Sequence, residues 1–148
     1  MKIDNPMVLR QIIMDHYQYP RNKRVCEHAD CKTVHMATES CIDDIQVQAV
    51  IENGIIKDVC FEGIACTIST ASTSILTELM KGKSLIEAKS LINLYFDMID
   101  LKPIDTEPLQ EAVAFVNVGK QANRIRCATI GWTALNQIIE ESEDNHDK

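Results

Sequence analysis

Between Ile45 and Phe61 apolar and polar residues alternate on either side of Asn53-Gly54, and no other stretch limits the fold so tightly. Ile45, Val47, Ala49 and Ile51 share one face before the turn, and Ile55, Val59 and Phe61 follow it. Period-two patterning interrupted by Asn-Gly predicts a β-hairpin with a two-residue turn, because both turn positions must accept positive φ. The opposite face carries Gln46, Gln48, Glu52, Asp58 and Glu62. Cys60 is therefore expected to point toward solvent or toward a thin cover.

Around the hairpin the period changes to that of helices. Asn5-Pro6 reads as an N-cap with proline at the first helical position, opening a helix over about residues 7–19 on which Leu9, Ile12, Ile13 and His16 share a face. His16 on that apolar face reads as a packed, hydrogen-bonded residue rather than a ligand. Pro20-Arg21-Asn22-Lys23 stops the helix; Pro20-Arg21-Asn22 is either only that stop or a contribution to partner docking. Residues 24–40 show neither period and are expected to be mostly loop, with a short strand near residues 33–36. After Cys66 a helix rich in small residues (Ser69, Ala71, Ser72, Ser74) should cover about residues 69–80 and end at Gly82. Ser84 with Glu87 forms a capping box for a further helix to about residue 99. Pro103, Pro108 and Gly119 surround a short apolar segment, residues 109–116, whose structure is the least legible. Ala128, Trp132, Leu135 and Ile139 lie on one face of a last helix, and residues 140–148 read as a disordered acidic tail. This order predicts a single α+β domain, a small antiparallel β-sheet with helices packed on one face.

Composition removes several function classes. Fifteen basic against twenty-two acidic residues give a net charge of −7, the wrong sign for a phosphate-backbone binder, and no basic-aromatic run is present. No apolar run approaches the ~20 residues that cross a bilayer, and the first residues lack the apolar core of a signal peptide. A cytoplasmic protein that binds neither nucleic acid nor membrane is expected. Its six cysteines are then read as reduced thiols available for metal binding or sulfur chemistry, or as small buried hydrophobes, rather than as a disulfide framework.

Cys66 and Cys127 are each predicted to lie just before a helix, where unpaired backbone N–H groups favour a thiolate. Cys41 leads into the hairpin two residues before Asp43, and Arg124 and Arg126 add positive charge beside Cys127. Three thiolates and a carboxylate are a chemically reasonable zinc set, although the spacing matches no compact zinc ribbon. The plainer alternative is that small residues are wanted at two helix entries and that Asp43 is a turn or cap. Cys26, His28, Cys31 and His35 form a second, weaker cluster, to be set against a solvated loop.

Ile13-Met14-Asp15-His16-Tyr17 with Pro20-Arg21-Asn22, then Glu52-Asn53-Gly54-Ile55-Ile56, Phe61-Glu62-Gly63 through Cys66-Thr67-Ile68-Ser69, and Arg124-Ile125-Arg126-Cys127-Ala128-Thr129 occur in this order. Together they resemble the iron–sulfur cluster assembly family of IscU, SufU and the N-terminal part of NifU, over about residues 8–139. The resemblance implies a SufE/NifU-like α+β scaffold with Cys41, Asp43, Cys66 and Cys127 converging at one exposed end as metal ligands. Arg126 stands where IscU-type members carry a histidine, and the long segment between Cys66 and Cys127 is similar to the insertion of the SufU branch. Arg124 matches a basic position that this branch places beside the site. The chain departs from the family at Cys41-Ile42-Asp43-Asp44, where Cys-Gly-Asp and a basic residue are usual, and Asp44 is expected to bring a second carboxylate toward the thiolates.

What the SufU resemblance implies is a Zn2+-dependent sulfurtransferase that accepts persulfide sulfur from a SufS-type cysteine desulfurase, with Cys41 as acceptor and Arg124 assisting. Other cluster assembly proteins are further expected partners. Two alternatives stand beside it: a scaffold on which the same side chains hold a transient [2Fe-2S] cluster, and a zinc domain whose metal serves folding alone.

Overall fold

The computed structural model describes residues 5–37 and 42–146. The hairpin forms where the alternation places it, with β2 at Asp44–Glu52 and β3 at Ile55–Ile64, paired antiparallel. Asn53 (φ 54°) and Gly54 (φ 74°) both take the left-handed conformation that a tight turn between twisted strands requires. The earlier strand β1, Lys32–Ala37, joins the free edge of β2, so the sheet order is β1-β2-β3.

Helices α1, α2 and α3 begin close to their sequence signals. In α1, Pro6–Gln18, the Asn5 side chain accepts from the Met7 N–H at 2.9 Å. Helix α2 spans Thr67–Met80, and in α3, Leu85–Ile99, Ser84 caps Glu87 as the capping box requires. The stretch between Leu101 and Asn123 contains two 3-10 segments, Glu107–Phe115 and Val118–Lys120. The first is kinked at Gln110 (φ 51°). Helix α4 covers Ala122–His146. Among the described residues no helix is long and apolar enough to cross a membrane.

Helix α2 is the centre of the molecule. It packs against α1, α4 and β3, and all of its residues except Thr67, Ile68 and Glu78 are buried. Most of the hydroxyl side chains of a helix so enclosed find partners, Thr73 Oγ1 being an exception. Ser72 Oγ donates to the Ala128 carbonyl at 2.6 Å, Ser74 Oγ lies 2.8 Å from His16 Nδ1 and accepts the Arg21 N–H, and Thr77 Oγ1 donates to the Ser74 carbonyl. The small side chains also admit α4 at close range: a Cβ on Gly131 would meet Thr73 Oγ1 at 2.5 Å. His16 is thus the packed, hydrogen-bonded residue expected, with Glu111, just past the kink, 3.4 Å from Nε2.

The outer face of the sheet is covered beside β3. Cys60 is 1% exposed, because residues 22–26 run alongside β3 and cover it. Arg24 donates its N–H to the Phe61 carbonyl at 2.8 Å, Phe61 returns one to the Asn22 carbonyl at 3.0 Å, and the Cys26 N–H reaches Gln48 Oε1. Of the two expected outcomes for Cys60, it is the thin cover that is found, and burial pushes its thiol pKa up. Pro20-Arg21-Asn22 is committed to structure: Asn22 takes φ 60° and binds Thr77 and Lys81, and Arg21 pairs with Asp15. Cys26 and Cys31 form a disulfide. Their sulfurs are bonded to each other, which corrects both the second metal cluster with His28 and His35 and the expectation that all thiols are reduced.

Two outcomes follow from this packing. Gly131→Ala should destabilise the protein by about 1–3 kcal/mol through overpacking against Thr73, and adding Thr73→Ala should restore much of the loss in urea melts. Burial, reinforced by the Arg21 charge, holds the His16 pKa below its ordinary value despite the opposing pull of Glu111. The unfolded chain then takes up its proton first as pH falls. Stability should decline as pH drops below about 6.5, and the decline should be shallower in His16→Gln.

Candidate metal centre

Strand pairing brings the first two elements of the site together. Asp44 lies opposite Ile64 in the β2–β3 ladder, so Asp43, just before β2, sits beside the short connection from β3 to α2. Gly63 permits this approach. Its φ is 124°, and a Cβ there would run into the Asp44 carbonyl. The connection ends at Cys66, the N-cap of α2, whose sulfur accepts the Ser69 N–H at 3.4 Å. The third element arrives from α4, which the close contact at Gly131 holds against α2. One carboxylate oxygen of Asp43 and the sulfurs of Cys66 and Cys127 all lie within 4.8 Å of one another. Among the described residues this is the one group of three such side chains able to hold a metal ion.

Asp43 is the electrostatic hinge of the group. It is 1% exposed, and burial alone would raise its pKa; hydrogen bonds from Ser69, the Cys66 N–H, and the Cys127 and Cys66 side chains outweigh burial and leave the pKa below its ordinary value. The Cys66 N–H donates at 2.8 Å, and the Ser69 hydroxyl makes a short contact with the other oxygen. A carboxylate thus stays ionised beside two thiols, a concentration of potential negative charge that a divalent cation would neutralise. Ideal tetrahedral zinc, with Zn–S near 2.3 Å, sets its sulfurs about 3.8 Å apart. The donor spacing is compatible with that after small side-chain adjustments, and soft sulfur with one carboxylate suits zinc.

The remaining candidates fall differently. Cys41 lies outside the described residues. Cys127 is not at a helix entry: α4 already begins at Ala122, because Asn123 to Arg126 continue the helical pattern, and Cys127 sits in its second turn, 7% exposed. The helix-terminus field fades within the first turn, so only Cys66 has the N-terminal placement expected of both. Asp44 does not join the group. Its carboxylate turns to His35 Nε2 on the exposed side of the sheet, since neighbouring strand residues face opposite ways. Arg124, in the first turn of α4, lines a cavity of about 400 Å³ with Arg10 and with Thr67 and Ile68, the two residues that follow Cys66 in the chain. Ser69 and Gly63 were not singled out from the sequence, although Cys66-x-x-Ser69 has the spacing of an N-cap and its third helical residue.

Ser69→Ala should raise the Asp43 pKa, read by carbon NMR of the carboxyl. Because a lowered carboxyl pKa contributes stability that vanishes as pH falls through it, the metal-free variant should also lose stability at a higher pH than the wild type.

Residues 9–146 match the model of the NifU-like N terminal domain. The zinc-dependent sulfurtransferase SufU of Bacillus subtilis (strain 168) is 38% identical over 135 residues, 90% of each chain. The iron–sulfur cluster assembly scaffold protein IscU of Streptococcus pyogenes is 32% identical over 133 residues, 88% of this chain and 82% of the relative. A crystal structure of the N-terminal part of a NifU-like protein from Brucella abortus superposes with a TM-score of 0.82 over 95% of this chain and 99% of its own, at 15% identity, which bears on the fold alone. Sequence, architecture and the converging side chains agree: the chain belongs to the NifU-like N-terminal domain family of iron–sulfur cluster assembly proteins.

Proposed function

We propose that the protein is a zinc-dependent sulfur acceptor that takes persulfide sulfur from a SufS-type cysteine desulfurase in the cytosol. The observation that carries this reading is the meeting of Asp43, Cys66 and Cys127 within 4.8 Å, in a chain similar to a zinc-dependent sulfurtransferase. Cys41, Asp43, Cys66 and Cys127 are the proposed ligands. Zinc, when bound, supplies charge neutralisation that keeps thiols ionised at neutral pH and shields them from oxidation.

Cys41 is the proposed acceptor. Its thiolate attacks the outer sulfur of the desulfurase persulfide; a new sulfur–sulfur bond forms at Cys41, the bond within the partner's persulfide breaks, and the partner's cysteine leaves as a thiolate. Asp43, held ionised by Ser69 and the Cys66 N–H, keeps the Cys66 end of the site ordered while Cys41 reacts. Arg124 and Arg126 add positive charge on α4, beside a site that gathers anions. The alternative, a scaffold for a [2Fe-2S] cluster, is favoured by the similarity to IscU; Arg126, in place of histidine before Cys127, favours the sulfur acceptor.

Incubation with a cysteine desulfurase should stimulate alanine release, and Cys41→Ala should abolish the stimulation. No stimulation by wild type, or equal stimulation by the variant, overturns the reading. Protein purified without added metal should hold about one zinc per chain by elemental analysis; stoichiometric iron with a stable visible chromophore after anaerobic reconstitution would favour the scaffold instead. For a purely structural metal, zinc removal should unfold the protein, whereas a Cys41→Ser variant that stays folded yet loses sulfur acceptance would argue against that reading.

A further inference from the structure

The carbonyl of Ala128, the residue after Cys127, is unusually committed for a group inside a helix. Ser72 Oγ donates to it from α2 at 2.6 Å, and the Tyr95 hydroxyl donates from α3 at 2.7 Å. Ser72 Oγ in turn accepts the Trp132 indole N–H at 3.0 Å, one turn further along α4. The rings of Tyr95 and Trp132 stack with centroids 3.8 Å apart and planes within 2°. Ser72, Tyr95, Ala128 and Trp132 are all buried to within 1%. Burial drives the Tyr95 pKa well upward, so its hydroxyl keeps the proton it donates.

Helix packing alone leaves a helix some freedom to slide and rotate against its neighbour, since apolar contacts are not directional. The Thr73–Gly131 approach sets how close α2 and α4 lie, but not the register between them. Directional bonds to one carbonyl do set it. Ser72 lies six residues, about 9 Å of helix, beyond Cys66, and Ala128 adjoins Cys127. The polar knot therefore ties α2 and α4 together within two turns of Cys66 and one residue from Cys127.

We infer that Tyr95, with Ser72, is a positioning residue for the metal centre: its hydroxyl, bonded to the Ala128 carbonyl, fixes the rotation of α4 that presents the Cys127 sulfur to Cys66 and Asp43. The inference rests on the metal-binding part of the proposed function. The Tyr95 hydroxyl is bonded to the Ala128 carbonyl and lies 3.3 Å from Ser72 Oγ, and its proposed action runs through α4.

Tyr95→Phe removes one oxygen and keeps the ring stack. The variant should fold, yet bind zinc about tenfold more weakly in competition with a chromophoric chelator, a loss typical of outer-shell changes. Its cobalt(II) form should show shifted ligand-field bands. In the metal-free protein, Cys127, 7% exposed, should be alkylated several-fold faster by a maleimide, scored by peptide mass spectrometry. Ile138→Val, a core truncation further along α4, is the control for general destabilisation and should leave all three readouts unchanged. Wild-type affinity, spectrum and alkylation in Tyr95→Phe would overturn the inference, as would equal changes in Ile138→Val. If Tyr95→Phe does not fold, Ser72→Ala removes the other donor and should show the same changes. If the wild type takes up neither zinc nor cobalt, the metal reading fails, and faster alkylation of Cys127 in Tyr95→Phe still supports the positioning role while an unchanged rate overturns it.

Discussion

The close passage of α4 across α2, where Gly131 lies against Thr73, is the contact on which the arrangement depends. A helix with large side chains at this crossing would stand further off, and helix axes normally settle 8–10 Å apart according to the residues between them. Here α2 presents mostly small and hydroxyl residues, and it is enclosed on several sides. Enclosure carries a cost, since a buried hydroxyl without a partner is unfavourable, and Thr73 Oγ1 is left without one among the described residues. Ser72, Ser74 and Thr77 meet that demand by binding α4, α1 with its following loop, and α2 itself. Side chains that permit tight packing therefore also tie the surrounding elements in a defined orientation.

The consequence is felt at the N-terminal end of α2. With α2 central and the β2–β3 ladder adjoining it, the N-cap Cys66 and the residue before β2, Asp43, have little freedom relative to each other. Fixing α4 on the same helix brings Cys127 to them. The centre is thus assembled from three places: the residue before β2, the short β3–α2 connection, and α4. Asp43 remains an anion in a buried setting only because donors from the first turn of α2 are aimed at it. That preorganises negative charge before any cation arrives, and it makes the candidate metal centre an extension of the core rather than an addition to its surface.

The comparison of expectation with structure follows the range of the interactions involved. The hairpin, the Asn5 and Ser84 caps, the strand at Lys32–Ala37 and the buried face Ala128, Trp132, Leu135 and Ile139 were legible because each depends on neighbours a few residues away. Cys60 was only half legible, since its cover comes from residues 22–26, distant in the chain and without periodicity. The entry of α4 was misplaced, because Asn123 to Arg126 carry no strong stop or start and the helix simply extends to Ala122. The Cys26–Cys31 pairing depended on how a loop without regular pattern closes on itself. Asp44 was assigned to the wrong side because a second carboxylate in sequence is, on a strand, a carboxylate on the other face.

By itself the sequence determined most of the helix and strand segments, though not the 3-10 stretch or either end of α4, that they include an antiparallel hairpin with helices on a single face, and that three cysteines and an aspartate were the residues to watch. Those are properties of local patterning, where the energy of a turn, a cap or an apolar face is settled within a few residues. Tertiary structure alone decided which of those side chains share a site, that Asp43 remains ionised there through Ser69 and Cys66, and that Tyr95 and Ser72 hold the helix bearing Cys127. Distances between side chains tens of residues apart are set by packing and directional hydrogen bonds among elements, and no pattern along the chain encodes them separately from the fold.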